Sequence, residues 1–255
     1  MRRRRILITG ASRTTGIGAA IAAKFAAIGD TVAVHTRADL DAAEEVTAGL
    51  SGDGHVVVSA DLGKPEQIEA MVDDTISKLG GIDVLVNNAA LHIEHPIGAT
   101  SYAEWQDVWR RTLDVNLIGT ANTTYCVVNH MLRRPEGPQG GRIVMVGSRG
   151  AYRGEPEVPA YGASKAGMHA YAQSMAVALG PHGIVVTACA PGFTVTHLTE
   201  PLLNGPERTE VLAQHPFGKV ANPAEIAEAV VWLASPESEW ASGAVLDLNG
   251  ASYLR

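Results

Sequence analysis

In the stretch YGASK, Tyr161 and Lys165 lie four residues apart, a spacing that brings a phenol and an ammonium together on one face of a helix. A phenol titrates near 10 and is a poor base at neutral pH. A cation beside it favours the phenolate, and a depression of about three units asks about 4 kcal/mol of differential stabilisation. Upstream, Ser148 follows the apolar run IVMV (143–146) and Gly147, which puts a hydroxyl at the carboxyl end of a strand. A serine there can donate to a carbonyl oxygen as that oxygen gains charge. Each feature alone has a plainer reading: Y-x-x-x-K is a common coincidence, and a serine after a strand is more often a cap or turn former. Together they describe proton transfer at a carbonyl.

The elements that must carry these groups are legible as a period. Apolar runs of strand length occur at 6–8, 31–35, 55–59, 82–86, 142–146, 183–189 and 244–248, with helical patterns between them. Such alternation predicts an α/β fold: a single Rossmann-type, doubly wound domain over 1–255, with a parallel seven-stranded sheet and helices on both faces. Helices are expected over 19–28 and 64–79, each ended by glycine. Ser101 and Glu104 read as a capping box, and a further helical stretch runs through Asn116 to about Arg133. Residues 135–141 read as an exposed loop. Residues 194–221, rich in Pro, Gly, Thr and His with one weak helical stretch near 206–214, are expected to form a substrate lid.

Composition narrows the partners. Apolar residues make up 46 % of the 255 and charged ones 18 %, enough for a sizeable core. The net charge of −7 argues against nucleic acid and for a small-molecule role. The basic run at 2–5 reads as a solvated edge before the first strand. No apolar run is long enough for a signal or membrane segment, so a cytoplasmic protein without membrane contact is expected. Cys126 and Cys189 have no disulfide or zinc spacing and are expected to be reduced and buried. No metal site is expected; His92 and His95 read as pocket or surface residues.

The loop TGASRTTGIG follows the first strand and opens the first helix, where amides and the helix dipole attract a pyrophosphate. Its glycines, Gly10, Gly16 and Gly18, do not fit G-x-G-x-x-G. The chain nevertheless resembles the short-chain dehydrogenase/reductase family, of the kind typified by 3-oxoacyl-carrier-protein reductases, from Ile6 to about Tyr253. The motifs come in that family's order: the glycine loop, Asp61 and Leu62, the run NNAA at 87–90, Asn116, Ser148, Tyr161 with Lys165, and PGFTVT at 191–196. Two departures stand out: Ala90 where glycine is usual, and two extra residues between Gly10 and Gly16, read as Thr14 and Thr15.

The resemblance implies roles. Tyr161 is the expected general acid/base, and Ser148 holds the carbonyl oxygen. Lys165 lowers the Tyr161 pKa and holds the nicotinamide ribose, while Asn116 interrupts its helix and binds a water leading to Lys165. The cofactor would be bound by Gly10, Ser12, Arg13, Thr15, Gly16, Ile17 and Gly18 in the loop, and by Asp61, Leu62, Asn88 and Ala89 at the adenosine. Pro191, Gly192, Thr194 and Thr196 would meet the carboxamide and pyrophosphate. Relatives that prefer NAD carry an acidic residue at the end of the second strand, but here Thr36 and Arg37 stand there. An arginine fork matches a 2′-phosphate, so NADP(H) is favoured over NAD(H), with Asp39 nearby as the opposing feature.

Leu91, His92, Arg149, Tyr152 and Phe193 are candidate substrate residues. Arg149 or Arg153 could bind an anionic substrate or simply pair with Glu155 or Glu157. The expected reaction is NADPH-dependent reduction of a ketone, with a 3-oxoacyl thioester as the expected substrate. The alternatives are a dehydrogenase of a sugar, polyol or steroid alcohol, and, remotely, a nucleotide-sensing protein without turnover. The family's usual assembly is a homotetramer, with the apolar helix over 166–179 buried between subunits.

Overall fold

Short runs rich in Val, Ile and Leu build seven strands: β1 (Arg5–Ile8), β2 (Thr31–Thr36), β3 (Val56–Ser59), β4 (Val84–Asn87), β5 (Arg142–Val146), β6 (Val185–Pro191) and β7 (Val245–Leu248). The computed structural model describes residues 3–255; Met1 and Arg2, the latter part of the basic run, lie outside the described residues. All seven strands join one sheet in the order β3-β2-β1-β4-β5-β6-β7, every ladder parallel. The inner strands are buried on both faces, which is why they read as continuous apolar runs instead of alternating ones. The order reverses between β1 and β4, where a crevice opens at the carboxyl ends.

Successive residues of each strand feed two cores. Leu7, Leu85, Ile143 and Val186 pack on one face with Ile68, Val127 and Met168. Ile6, Ile8, Val34 and Val144 pack on the other with Phe25, Val46 and Ile226. The helices are α1 (Ile17–Ala27), α2 (Leu40–Ala48), α3 (Pro65–Leu79), α4 (Tyr102–Leu113), α5 (Thr120–Arg133), α6 (Pro159–Leu179), α7 (Glu200–Asn204), α8 (Arg208–Ala213) and α9 (Pro223–Leu233), with Leu203 of α7 and Val211 of α8 in a small separate cluster.

Local signals set most of the ends. Gly80 closes α3 in the left-handed region (φ 76°). Ser101 caps α4 by accepting from the Glu104 amide, while the full reciprocal box is made at Asn222 and Glu225, ahead of α9. Between α4 and α5, residues Asp114–Gly119 widen into a π-helical turn that contains Asn116. Residues 194–221 hold two short helices, α7 and α8, where one weak stretch was expected.

Two expectations are corrected. The described part of the basic run is not a loose solvated edge. Arg4 reaches Asp30 at 2.7 Å, and Arg5 reaches Asp83 at 2.8 Å and Glu136 at 3.0 Å, so the start of β1 is bolted to its neighbours. Cys189 is buried as expected, but Cys126, at the margin of one core, is only partly so. No helix among the described residues is long and apolar enough to cross a membrane.

Candidate active site

The crevice is a cavity of about 540 Å³ running along the carboxyl ends of the strands, from Arg37 at one end to Phe193 at the other. At its floor the glycine loop is clasped to the end of β4. The Thr9 hydroxyl accepts from the Asn88 and Ala89 amides at 2.9 and 3.1 Å, and Asn88 Nδ2 donates to the carbonyls of Thr9 and Gly10 at 3.0 and 2.9 Å. Gly10 takes φ 64°, and a side chain at Gly18 would press within 2.6 Å of the Gly10 carbonyl. Backbone can therefore pass very close at both places, as a pyrophosphate cradle at a helix start requires.

His35, to which sequence reasoning gave no role, holds this loop from the other side. The Gly10 amide donates to its Nδ1 at 2.9 Å, so its proton sits on Nε2, which faces the Ala60 carbonyl at 3.0 Å. Burial pulls the imidazole down to about 4, which keeps it neutral. The available signal was a polar residue inside a strand otherwise buried along its whole length.

A turn from Arg13 to Gly16, closed by the Gly16 amide on the Arg13 carbonyl at 2.8 Å, absorbs the two extra loop residues. Ser12, Arg13, Gly16, Ile17 and Gly18 line the cavity. Thr15 does not: the turn carries Thr14 and Thr15 into solvent, which corrects its assignment as a cofactor residue. Thr36 is buried and its hydroxyl accepts from the Asp39 amide at 3.2 Å, while Arg37 is exposed on the cavity rim. The Asp39 carboxylate is used to cap α2 through the Ala42 amide. Asp61, Leu62, Asn88 and Ala89 line the same end, and Pro191, Gly192, Thr194 and Thr196 face them from beyond β6.

Toward the middle, α6 presents Tyr161 and Lys165 on one face, as the spacing predicted. Ser148 lines the cavity wall beside the Tyr161 phenol, and its Oγ accepts from the Gly150 amide at 2.9 Å. Lys165 is 1 % exposed; its Nζ lies 5.7 Å from the centre of the Tyr161 ring and donates to the Val146 carbonyl at 2.7 Å. The expected depression of the phenol is not found. Burial pushes Tyr161 up to about 12, against the lowering effect of the Ser148 hydroxyl, and burial pulls Lys165 down to about 8. The ammonium is turned to a backbone carbonyl, and the dry surroundings disfavour both charges.

Asn116 is buried behind the wall. Its Oδ1 accepts from the Leu91 amide at 2.7 Å, and its Nδ2 donates to the Leu91 carbonyl and to Ser164 Oγ at 2.9 and 3.0 Å. Ser164 in turn donates to the Tyr161 carbonyl at 2.7 Å. Asn116 thus ties the loop after β4 to the turn of α6 that carries the phenol.

Of the candidate substrate residues, Leu91, His92, Arg149 and Phe193 line the cavity, with the His92 ring edge-on to Tyr161 at 4.9 Å. Tyr152 lies off it, a correction with a clear cause. The Arg255 guanidinium covers its ring at 4.3 Å and bonds its hydroxyl at 3.1 Å, and the other neighbour is His169, 5.1 Å away. Arg149 and Arg153 do not pair with Glu155 or Glu157; both donate to Gln214 Oε1, at 3.2 and 2.6 Å.

Residues 10–250 match the protein family described as enoyl-(acyl carrier protein) reductase. The chain is 36 % identical over 248 residues to the 3-oxoacyl-(acyl-carrier-protein) reductase of Vibrio cholerae, covering 97 % of this chain and 96 % of that one. Among solved structures, a 3-ketoacyl-(acyl-carrier-protein) reductase from Brucella melitensis, complexed with NADH, aligns with TM-score 0.87 and 29 % identity over 98 % of each chain. A short-chain dehydrogenase from Burkholderia cenocepacia, in complex with NADP, aligns with TM-score 0.86 and 29 % identity, over 98 % of this chain and 97 % of that one.

Proposed function

Because the chain belongs to the short-chain dehydrogenase/reductase family of NAD(P)-dependent enzymes acting between CH–OH and C=O groups, we propose that it reduces a ketone, of the 3-oxoacyl thioester class, with NADPH. The nicotinamide cofactor, when bound, supplies the hydride. The closely approached backbone at Gly10 and Gly18 and the amides opening α1 would hold its pyrophosphate, and Arg37, with Arg13, would meet the 2′-phosphate. Thr15 is left out of that set.

The chain's own part is the proton. One observation carries the reading: Ser148 and Tyr161 stand together on the cavity wall, where the Ser148 hydroxyl lowers the phenol's pKa against a larger effect of burial that keeps the phenol protonated. Ser148 Oγ is held in place by the bond it accepts from the Gly150 amide, and its hydroxyl would donate to the substrate oxygen. Tyr161 gives its proton to that oxygen as charge develops there. Lys165 would hold the ribose hydroxyls, and Asn116 positions the Tyr161 turn through Ser164. An NAD-linked alcohol dehydrogenase would want a carboxylate at the end of β2; Thr36 stands there, and Asp39 is engaged as a helix cap. A sensor without turnover has no use for the four residues gathered here.

A homotetramer is proposed. The outer face of α6 carries Ala166, Ala170 and Ser174 with Val177, 81 % exposed, beside Tyr125 of α5, 68 % exposed. Tyr161→Phe should lower the rate of NADPH-dependent reduction about a thousandfold, within the range a general acid contributes. Retention of most of the rate with a 3-oxoacyl thioester would show that the proton comes from elsewhere.

A further inference from the structure

Three arginines are buried among the described residues, and their surroundings differ. Arg134 pairs with Asp83 at 2.8 Å, and Arg142 is met by the carbonyls of Gly141 and Ser235 at 3.0 and 3.3 Å. Arg149 is 3 % exposed and stands on the cavity wall next to Ser148. Its Nη1 donates to Gln214 Oε1 at 3.2 Å and to Ser252 Oγ at 2.9 Å, both neutral groups. Its guanidinium lies over the Phe193 ring, 4.9 Å from the centre. Among the described residues no carboxylate forms an ion pair with it, and its Nε and Nη2 make no hydrogen bond. Burying a guanidinium without a counter-charge is costly, and the cost falls where a ligand can remove it.

Two charged groups stand near this guanidinium. Arg153 shares the Gln214 oxygen, adding a second cation at the same end. Glu155 is the opposing group on the wall; it makes no ion pair with Arg149, and burial pushes its carboxyl up against the lowering effect of Arg149. Gln214, at the end of α8, and Ser252, in the C-terminal segment, fix one side of the guanidinium and leave its Nε and Nη2 edge as the fork for a planar anion.

We propose that the ketone reduced here carries a carboxylate on the arm that enters the cavity, and that Arg149 receives it. The inference rests on the ketone-reductase reading and narrows its substrate to oxo acyl groups ending in a carboxylate. A chain-matched pair tests it: 3-oxoadipyl-CoA, which ends in a carboxylate, against 3-oxohexanoyl-CoA, which ends in a methyl group. Wild type should favour the former in kcat/KM by about thirtyfold, about 2 kcal/mol, as expected of a charge-assisted bond. Arg149→Met should bring that ratio near one, and Arg149→Lys, which keeps the charge and loses the fork, should fall between. A wild-type ratio near one, or a ratio that Arg149→Met leaves unchanged, overturns the proposal. Should Arg149→Met not fold, the wild-type ratio and the lysine variant decide. If wild type reduces neither thioester, the 3-oxoacyl reading fails and calorimetry with the full chain decides the anion site. Adipate binding that adipamide does not show and Arg149→Lys weakens upholds it; absence of adipate binding overturns it.

Discussion

Arg37 stands at the end of β2 with Thr36 buried behind it, so a hydroxyl turned to the Asp39 amide fills the position a ribose-binding carboxylate would need. A guanidinium on the rim offers charge to a 2′-phosphate and offers little to a bare ribose. Arg37→Ala should therefore lower the ratio of NADPH to NADH affinity about tenfold to a hundredfold, measured by quenching of protein fluorescence. An unchanged ratio would move the phosphate contact to Arg13. Tyr161 and Lys165 make a different point at this scale. The charge each prefers depends on burial that no spacing reveals, and burial moves both toward the neutral form.

At the scale of elements, β2 and the glycine loop are held together at His35, whose carbonyl accepts from the Ala11 amide and whose imidazole accepts from the Gly10 amide, both at 2.9 Å. His35 accepts from the Gly10 amide, and protonation would put a hydrogen where that bond is made. Its value of about 4 in the folded protein lies below the 6.5 of an unhindered histidine. Between these values the unfolded chain binds a proton that the folded chain refuses, so stability is full above about 6.5 and is lost as pH falls toward 4. The difference amounts to about 3 kcal/mol. Thermal unfolding across that range should show the loss, and His35→Gln should flatten it; an identical slope in the variant would show that other groups carry the acid sensitivity. This tether illustrates what the sequence could and could not convey. Strands, helix spacing and the YGASK face were legible because period and burial coincide there. The capping box at Asn222 and the second short helix after 194 were not. Each depends on a local hydrogen bond or a tertiary contact, not on a period. Tyr152 was misplaced for the same reason: only the fold shows that Arg255, the last residue, returns to cover it.

Across the whole molecule, the outer faces of α5 and α6 leave Tyr125 and Val177 in water, a pattern that fits burial against a second copy. Sedimentation should report a mass four times that of one chain, and a mass equal to one chain would refute the assembly. The strand order has a further consequence. The residues proposed to read the adenosine phosphate lie on the β1 to β3 half of the sheet, and those proposed to move the proton follow β5 on the other half. Within the sheet the halves meet along one ladder, from Ile6 beside Val84 to Ile8 beside Val86, and outside it they meet where α1 packs on α9 and Thr9 clasps Asn88. In the history of such a chain, the preferred electron donor and the preferred substrate can be rewritten independently, because a change at 36–37 alters nothing that positions 148–165.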